Sequence, residues 1–182
     1  MYIARILYPV KVLGPGDRIG IWFCGCNHYC KGCSNPELWE LQDKYKASVD
    51  DVMVLINKIA EEHPVDGFTI TGGDPFMQYE DLLLLIKDLR EINDDIFVYT
   101  GYNIEDLSDK DLSDISVLID GEYVEELNDN SLLRGSSNQK IHILQDKHRE
   151  KYEKYLKTAT NQIQNFNTGE GIVSVGIHRS DF

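Results

Sequence analysis

The sequence predicts an α/β fold built on a parallel β-sheet. Short segments rich in β-branched and aromatic residues alternate with longer segments whose apolar residues recur at helical spacing. Such alternation is typical of parallel sheets whose strands are joined by right-handed crossovers. The chain has 182 residues, of which 42% are hydrophobic and 27% charged, so it can bury a core of ordinary size. We therefore expect one domain over residues 1–182.

The first predicted elements follow the turn-forming segment GPGD. Arg18–Phe23 is short, β-branched and aromatic, which predicts a strand. Ser48, with an acid three residues later, predicts the start of a helix. The apolar stripe of this helix consists of Val49, Val52, Leu55, Ile56 and Ile59. Gly67–Thr71 predicts a second strand, which ends at two glycines.

The rest of the chain continues the alternation. In order, the predicted elements are a helix over residues 79–92, a strand over Asp95–Thr100, a partly helical segment over residues 103–115, a strand over Ser116–Asp120, a strand over residues 139–144, a helix over residues 147–157 and a hairpin over residues 161–177 that turns at Gly169–Gly171.

Four unusual segments each follow the carboxyl end of a predicted strand. They are the cysteine loop, Gly72–Asp74, Gly101–Tyr102 and Asp120–Gly121. The carboxyl ends of parallel strands lie at one edge of the sheet, and ligands of α/β proteins bind at that edge. We therefore expect these four segments to form one site.

All four cysteines of the chain lie within ten residues. Disulfides between them would close only tiny loops, which constrain an unfolded chain least. Cys26, Cys30 and Cys33 have the spacing C-x3-C-x2-C, and three thiolates on one tight loop suit a soft metal centre. A structural zinc site with four cysteines uses a second, distant pair, which this chain lacks. Three thiolates also leave one metal position open, as catalysis at a metal requires.

Two further side chains near this loop have competing interpretations. Strand alternation places Cys24 on the same face as Trp22, so we expect a buried core thiol in preference to a fourth metal ligand. A C-x-C step would also strain the loop. His28 lies inside the loop, and we interpret it as a loop residue in preference to a ligand.

The charge balance argues against nucleic acid as a partner. The chain has 31 acidic residues against 18 Lys and Arg, a formal net charge of −13, whereas nucleic-acid binding requires cations. No run of eighteen apolar residues predicts a membrane span, and the N-terminus has no secretory signal. Clustered thiols are typical of metal or redox chemistry in a reducing compartment, so we expect a cytoplasmic protein.

The cysteine spacing resembles the signature of the radical S-adenosylmethionine (SAM) enzymes. Within that superfamily the chain resembles the activating proteins of anaerobic (class III) ribonucleoside-triphosphate reductases. The matching segments occur in the family's order between Gly14 and Gln139, and they are GPGDR, CNHYCKGC, NPELW, TGGDP, TGY, LIDGEYVEEL and RGSSNQ. This series is far more specific than any one motif.

The resemblance implies a 4Fe–4S cluster held by Cys26, Cys30 and Cys33. The fourth iron would chelate the amino and carboxylate groups of the methionine part of SAM. Gly72, Gly73 and Asp74 match the family's Gly-Gly-acid motif, which holds the methionine amino group. On the residues alone, two glycines after a strand are also typical of a simple turn.

The resemblance also points to SAM contacts from the next two strands. Thr100, Gly101 and Tyr102 would line the pocket from the third strand, and Asp120 and Gly121 from the fourth. A helix N-cap and a turn are the alternative interpretations of these residues. Residues 134–139 match the family, but either packing near the cluster or contact with a partner would explain them.

The fold that the resemblance implies is a partial β/α barrel of radical SAM type. The match thins after about Leu144, which divides the domain into a family-matching core, residues 1–144, and an extension, residues 145–182, that carries a helix and a β-hairpin. The implied activity is reductive cleavage of SAM and formation of a glycyl radical on a partner enzyme, the anaerobic reductase. An electron donor such as flavodoxin or ferredoxin is implied as a second partner.

Two other functions stay open on the residues. The first is a small radical SAM enzyme that acts on a peptide or metabolite, such as a deazaguanine-forming synthase. Peptide-modifying members often carry extra clusters, and no cysteine follows Cys33. The second is a non-catalytic iron–sulfur or zinc protein, which has no need for TGGDP at the same sheet edge as the cysteines.

Overall fold

The computed structural model describes residues 1–169 and 171–178. The strands are β1 (Ile3–Val10), β2 (Arg18–Phe23), β3 (Gly67–Gly72), β4 (Ile96–Tyr99), β5 (Val117–Asp120), β6 (Lys140–Ile143), β7 (Ile163–Asn167) and β8 (Ile172–Gly176). The α-helices are α1 (Val49–Glu62), α2 (Tyr79–Leu89) and α3 (Arg149–Thr158). Short 3₁₀ turns lie at Pro36–Leu38, Asp43–Tyr45, Pro75–Gln78, Ile104–Leu107, Glu125–Leu127 and Asp146–His148.

The first six strands form one mixed sheet in the order β1-β2-β3-β4-β5-β6. Strands β2 to β5 are parallel, and β1 and β6 pair antiparallel to them at the two edges. The expectation of a parallel sheet is therefore confirmed for β2 to β5 and wrong for β6. After β5 the chain returns through a loop at the same sheet edge, and a return of that kind reverses the strand direction.

Strand β1 is an element that the sequence analysis did not predict. It pairs with β2 along an irregular register, with shifts between Ile3 and Arg5 and between Leu7 and Val10. Pro9 lies within it, and proline is tolerated in a sheet at an edge strand because such a residue needs no ladder hydrogen bond. The pairing with β2 makes this segment a strand.

Helix α1 confirms the predicted start at Ser48. The Asp51 backbone N–H donates to the Ser48 hydroxyl oxygen (3.1 Å), and the Ser48 N–H donates to the Asp51 carboxylate (3.1 Å), which is a complete capping box. Val52 and Ile56 of the predicted stripe are buried, but Leu55 is 55% exposed and does not belong to the buried face. The segment 103–115 is helical only at the short turn Ile104–Leu107.

The sheet is covered on both faces by different parts of the chain. One face packs against α1 and α2 through a cluster that includes Ile21, Phe68 and Ile70. The opposite face packs against α3 through Tyr152, which is fully buried beside Phe97. The extension is therefore part of the core packing.

The rest of that opposite face packs against a separate two-stranded sheet formed by β7 and β8. This sheet confirms the predicted C-terminal hairpin. Residue 170 of its predicted turn lies outside the described residues, as do residues 179–182 of the extension. Within the described part of the chain, no helix is long and apolar enough to cross a membrane.

Candidate functional site

A cavity of about 860 Å³ opens at the carboxyl edge of the parallel strands. Nine of the predicted site residues lie in its wall, and these are Cys26, Cys30, Cys33, Gly72, Gly73, Asp74, Thr100, Gly101 and Gly121. The predicted grouping at one sheet edge follows from the parallel register, because β2, β3, β4 and β5 all end at this edge.

The two glycines after β3 are required by close approach of the backbone. A Cβ at Gly72 would stand 2.4 Å from the Phe23 carbonyl oxygen, and one at Gly73 would stand 2.3 Å from the Gly25 carbonyl oxygen. Gly72 also has a φ of +108°, which favours glycine. The Gly73 N–H donates to the Phe23 carbonyl oxygen (2.8 Å), and the Asp74 N–H donates to the Gly25 carbonyl oxygen (2.7 Å). The motif therefore binds the start of the cysteine loop directly to the end of β3.

The cysteine loop is held at both of its ends by backbone hydrogen bonds. At its start, the Cys26 N–H donates to the Trp39 carbonyl oxygen (2.8 Å). At its end, the Asn35 N–H donates to the Cys33 sulfur (3.4 Å), a contact of the kind that tunes iron–sulfur clusters. The thiols of Cys26, Cys30 and Cys33 are free and half-buried.

The donor set of this loop fits an iron–sulfur cluster. Burial raises the pKa of the Cys26 and Cys30 thiols, so without a metal these groups stay protonated. Among the described residues, no three His, Cys, Asp or Glu side chains converge on a single metal ion. A cluster does not need such convergence, because it distributes its thiolate ligands over different iron atoms.

Cys24 is separate from the other three thiols. It is fully buried in the cluster that contains Trp22, and its thiol donates to the Glu40 carbonyl oxygen (3.1 Å). Burial raises the pKa of this thiol. The expected buried core thiol is confirmed.

Asp74 joins three segments of the site and is only 1% exposed. Its carboxylate accepts hydrogen bonds from the backbone N–H groups of Phe76 (2.9 Å) and Gly101 (2.8 Å). The Thr100 hydroxyl donates to the same carboxylate (3.0 Å), and the His28 ring nitrogen Nε2 lies 2.9 Å from it. The acid that the resemblance assigns to SAM therefore also connects the cysteine loop to β3 and β4.

His28 has closer contacts with the site than the sequence analysis expected of a loop residue. Its Nδ1 lies 3.0 Å from the Glu122 carboxylate, so the imidazole bridges two acids. The hydrogen bond to Asp74 raises the pKa of His28, although burial opposes that shift. A Cβ at Gly101 would come within 2.5 Å of the His28 ring, so the glycine makes room for this contact. The only sequence signal was its position two residues from Cys26 and two from Cys30.

Two predicted site residues lie outside the wall of this cavity. The Tyr102 hydroxyl accepts a hydrogen bond from Asn27 (2.8 Å) beside a smaller cavity of about 500 Å³. Asp120 is 2% exposed and accepts from the Ile104 N–H (2.8 Å), an arrangement that resembles a cap. A role for either residue in SAM binding stays a prediction.

Residues 134–139 support the site and contribute Gly135 and Gln139 to the cavity wall. The Gln139 side-chain amide donates to the Gly121 carbonyl oxygen (2.8 Å) and accepts from the Gly135 N–H (2.8 Å). The Arg134 guanidinium donates to the Gln139 carbonyl oxygen (3.2 Å). This segment, whose role the sequence left open, supports the turn at Gly121 from which the cavity wall is built.

Three polar atoms in the cavity wall are buried without a hydrogen-bond partner among the described residues. They are the Tyr99 hydroxyl, the Trp39 indole nitrogen and the Ser174 hydroxyl. Burial raises the pKa of Tyr99, so its hydroxyl remains a donor. An unpaired buried donor costs about 1–3 kcal/mol, so these atoms favour a cavity that binds a polar ligand.

The fold and the site together define an iron–sulfur protein whose cysteine loop lies at the carboxyl edge of an α/β sheet. A family model described as a 4Fe-4S single cluster domain matches residues 12–142, so the chain carries that domain.

Curated relatives give the particular family. The "anaerobic ribonucleoside-triphosphate reductase-activating protein" of Escherichia coli (strain K12) is 36% identical over 149 residues, which cover 75% of this chain and 96% of that protein. The protein of the same name from Haemophilus influenzae is 40% identical over 149 residues (74% and 94%). The one from Enterobacteria phage T4 is 33% identical over 142 residues (74% and 90%). This chain belongs to the family of anaerobic ribonucleoside-triphosphate reductase-activating proteins.

Proposed function

We propose that this protein activates an anaerobic ribonucleoside-triphosphate reductase by generating a glycyl radical on it. The observation that carries the proposal is the single cavity whose wall contains the three cysteines and the Gly-Gly-Asp motif. Family membership supports the same function, since the relatives are named as activating proteins of that reductase.

The residues of the cavity have different roles. Cys26, Cys30 and Cys33 hold the 4Fe–4S cluster, and Gly72–Asp74 binds the methionine part of SAM beside it. When bound there, the cluster would supply one-electron reductive chemistry for the cleavage of SAM, and the hydrogen atom removed would come from the target glycine. Thr100, with Gly101, orients the Asp74 carboxylate.

We propose four further features of this protein. The mixed sheet curves as a partial barrel of radical SAM type, with one opening for the partner. Residues 1–182 form one domain, in which residues 145–182 extend the family core. The protein works in the cytoplasm. Its electron comes from a small redox protein such as flavodoxin or ferredoxin.

The test is anaerobic reconstitution followed by mixing with the reductase of the same organism, SAM and dithionite. We expect an electron paramagnetic resonance doublet that collapses when the glycine is deuterated at its α-carbon. Release of 5′-deoxyadenosine without a radical on the reductase, together with turnover of a small molecule, would contradict the proposal.

A matched pair of cysteine variants checks the ligand assignment. Cys30→Ala should lose the cluster and all SAM cleavage, because it removes one of three thiolates. Cys24→Ala should keep the iron, since that thiol is buried in the core and donates to a carbonyl. Loss of iron in Cys24→Ala with retention in Cys30→Ala would show that the assignment is wrong.

A further inference from the structure

The β7–β8 hairpin lies against the sheet face that α1 and α2 leave uncovered. Val175 of β8 is 3% exposed and packs in the cluster that contains Val10, Trp22 and Cys24. Phe166 of β7 packs against the same cluster. The hairpin is therefore seated on the core through one of its faces.

Side-chain hydrogen bonds fix the hairpin at two separate places. Gln164 donates to the Pro9 carbonyl oxygen (2.7 Å) and accepts from the Lys11 N–H (3.0 Å) at the β1 edge of the sheet. The Asn128 side chain, in the loop after β5, donates to the His178 carbonyl oxygen (2.9 Å). The hairpin therefore bridges from one side of the sheet to the other.

This bridge forms part of the wall of the cavity that holds the cysteines. Thr168 and residues 172–178 line the same cavity as Cys26, Cys30 and Cys33. The 4Fe-4S domain match ends at residue 142, so the hairpin lies outside the matched residues. The cavity that contains the cysteines therefore has a section of wall that the matched domain does not supply.

The tip of the hairpin presents an apolar side chain at the mouth of this cavity. Ile172 follows the turn, belongs to the cavity wall, and is 75% exposed, the largest value among the described large hydrophobic residues. A single exposed apolar side chain is ordinary on a protein surface, but Ile172 belongs to the wall of the cavity that a protein substrate has to enter.

We propose that the β7–β8 hairpin is the docking element for the protein substrate, with Ile172 as its apolar anchor. The occupant is the polypeptide segment of the reductase that carries the target glycine. This inference rests on the proposed function, because that function requires a segment of another chain to enter the cavity. The hairpin would guide that segment along the wall toward the cysteine loop.

Deletion of the extension is unsuitable as a test, because it would remove the buried Tyr152 from the core. The sharper test is Ile172→Ser compared with Ile163→Ser. Ile163 lies on β7, is 38% exposed and does not belong to the cavity wall, so it is a matched control on the same hairpin. Radical yield is measured against reductase concentration in reconstituted protein.

We expect Ile172→Ser to raise the KM for the reductase by about tenfold, as for loss of an interface anchor, with kcat at saturating reductase retained. Ile163→Ser should behave as wild type in both parameters. In hydrogen exchange, bound reductase should protect residues 163–176 but leave α1, on the opposite sheet face, unchanged.

The other outcomes separate the possible failures. An unchanged KM in Ile172→Ser, or an equal rise in Ile163→Ser, overturns the docking role while the activase function stands. If the isolated Ile172→Ser protein has a lower mass in sedimentation than the isolated wild-type protein, Ile172 contacts a second copy of this chain. That result also overturns the docking role. If the wild-type protein forms no radical on the reductase, the proposed function fails and the docking role fails with it.

Discussion

Asp74 and Asp95 are both 1% exposed, but they lie at opposite ends of the parallel strands and have different partners. Asp95, before β4, is surrounded by cations: Arg18 (3.2 Å) and Lys151 (2.6 Å) form ion pairs with it, and the Tyr152 hydroxyl donates to it (2.5 Å). Asp74, after β3, has no Lys or Arg within ion-pair distance among the described residues.

The difference separates a carboxylate that stabilises the fold from one that builds a site. At Asp95 the buried charge is neutralised within the protein, and its partners on α3 bind the extension to the sheet. At Asp74 no Lys or Arg of the described residues pairs with the carboxylate, and backbone N–H groups, a hydroxyl and the His28 imidazole orient it. A carboxylate of that kind suits a cationic ligand, such as the ammonium group of SAM.

The largest expected effect is the loss of Asp95. Asp95→Ala leaves the fully buried Arg18 without its carboxylate, so we expect the free energy of unfolding to fall by about 3–5 kcal/mol. Urea unfolding of the metal-free protein measures this change in the free energy of unfolding. The neighbouring Asp94→Ala is the control: Asp94 is 44% exposed and pairs with the exposed Lys147, so it should cost less than about 1 kcal/mol. Equal losses in the two variants would remove the distinction.

The next expected effect is on ligand binding at the other end of the parallel strands. Asp74→Ala and Asp74→Asn should keep the iron but weaken SAM binding by roughly tenfold or more, because both remove the charge that faces the site. The measurement is a SAM titration of the reduced cluster by electron paramagnetic resonance. Normal SAM affinity in both variants would show that Asp74 serves only to connect β3, β4 and the cysteine loop.

A smaller effect is expected at His28, which connects the cysteine loop to Asp74. His28→Ala should weaken SAM binding by roughly tenfold or less, since it loosens the spacing between cluster and acid. His28→Gln should restore part of the affinity, because its amide can still donate to Asp74. Lys31→Ala is the control in the same loop, since Lys31 is exposed and pairs with Glu125. No difference between His28→Ala and Lys31→Ala would contradict a positioning role.

The smallest expected effect is on the pH dependence of stability, which we assign to Asp95 and not to the residues of the site. Burial would raise the pKa of Asp95, but Arg18, Lys151 and Tyr152 hold it below its ordinary value. A carboxyl with a lowered folded pKa stabilises fully above its unfolded pKa, about 3.9, and loses that contribution as the pH falls through the folded pKa. We expect the free energy of unfolding to fall more steeply below about pH 4 in wild type than in Asp95→Asn. Identical slopes in urea unfolding would contradict this.

Local patterns predicted the elements well where one segment carried the whole signal. The capping box at Ser48 and the β-branched run of Arg18–Phe23 depend on neighbours in sequence, and both were confirmed. The prediction that Leu55 belongs to the buried face was wrong, because the predicted apolar stripe of α1 was wider than the face that contacts the sheet. Strand β1 was missed because its pairing with β2, and not its own composition, makes it a strand.

The residue pattern alone predicted the cysteine loop, the Gly-Gly-Asp segment and their common sheet edge. Thiol spacing and strand order are local properties of the sequence, so they can be read without the tertiary structure. Long-range packing decided the rest. The bridge of His28 to Asp74 joins residues 46 apart, and the hairpin reaches the cysteine cavity through hydrogen bonds between residues as distant as Pro9 and Gln164. Contacts of this kind depend on how the faces of the sheet are covered, and no local periodicity encodes that choice.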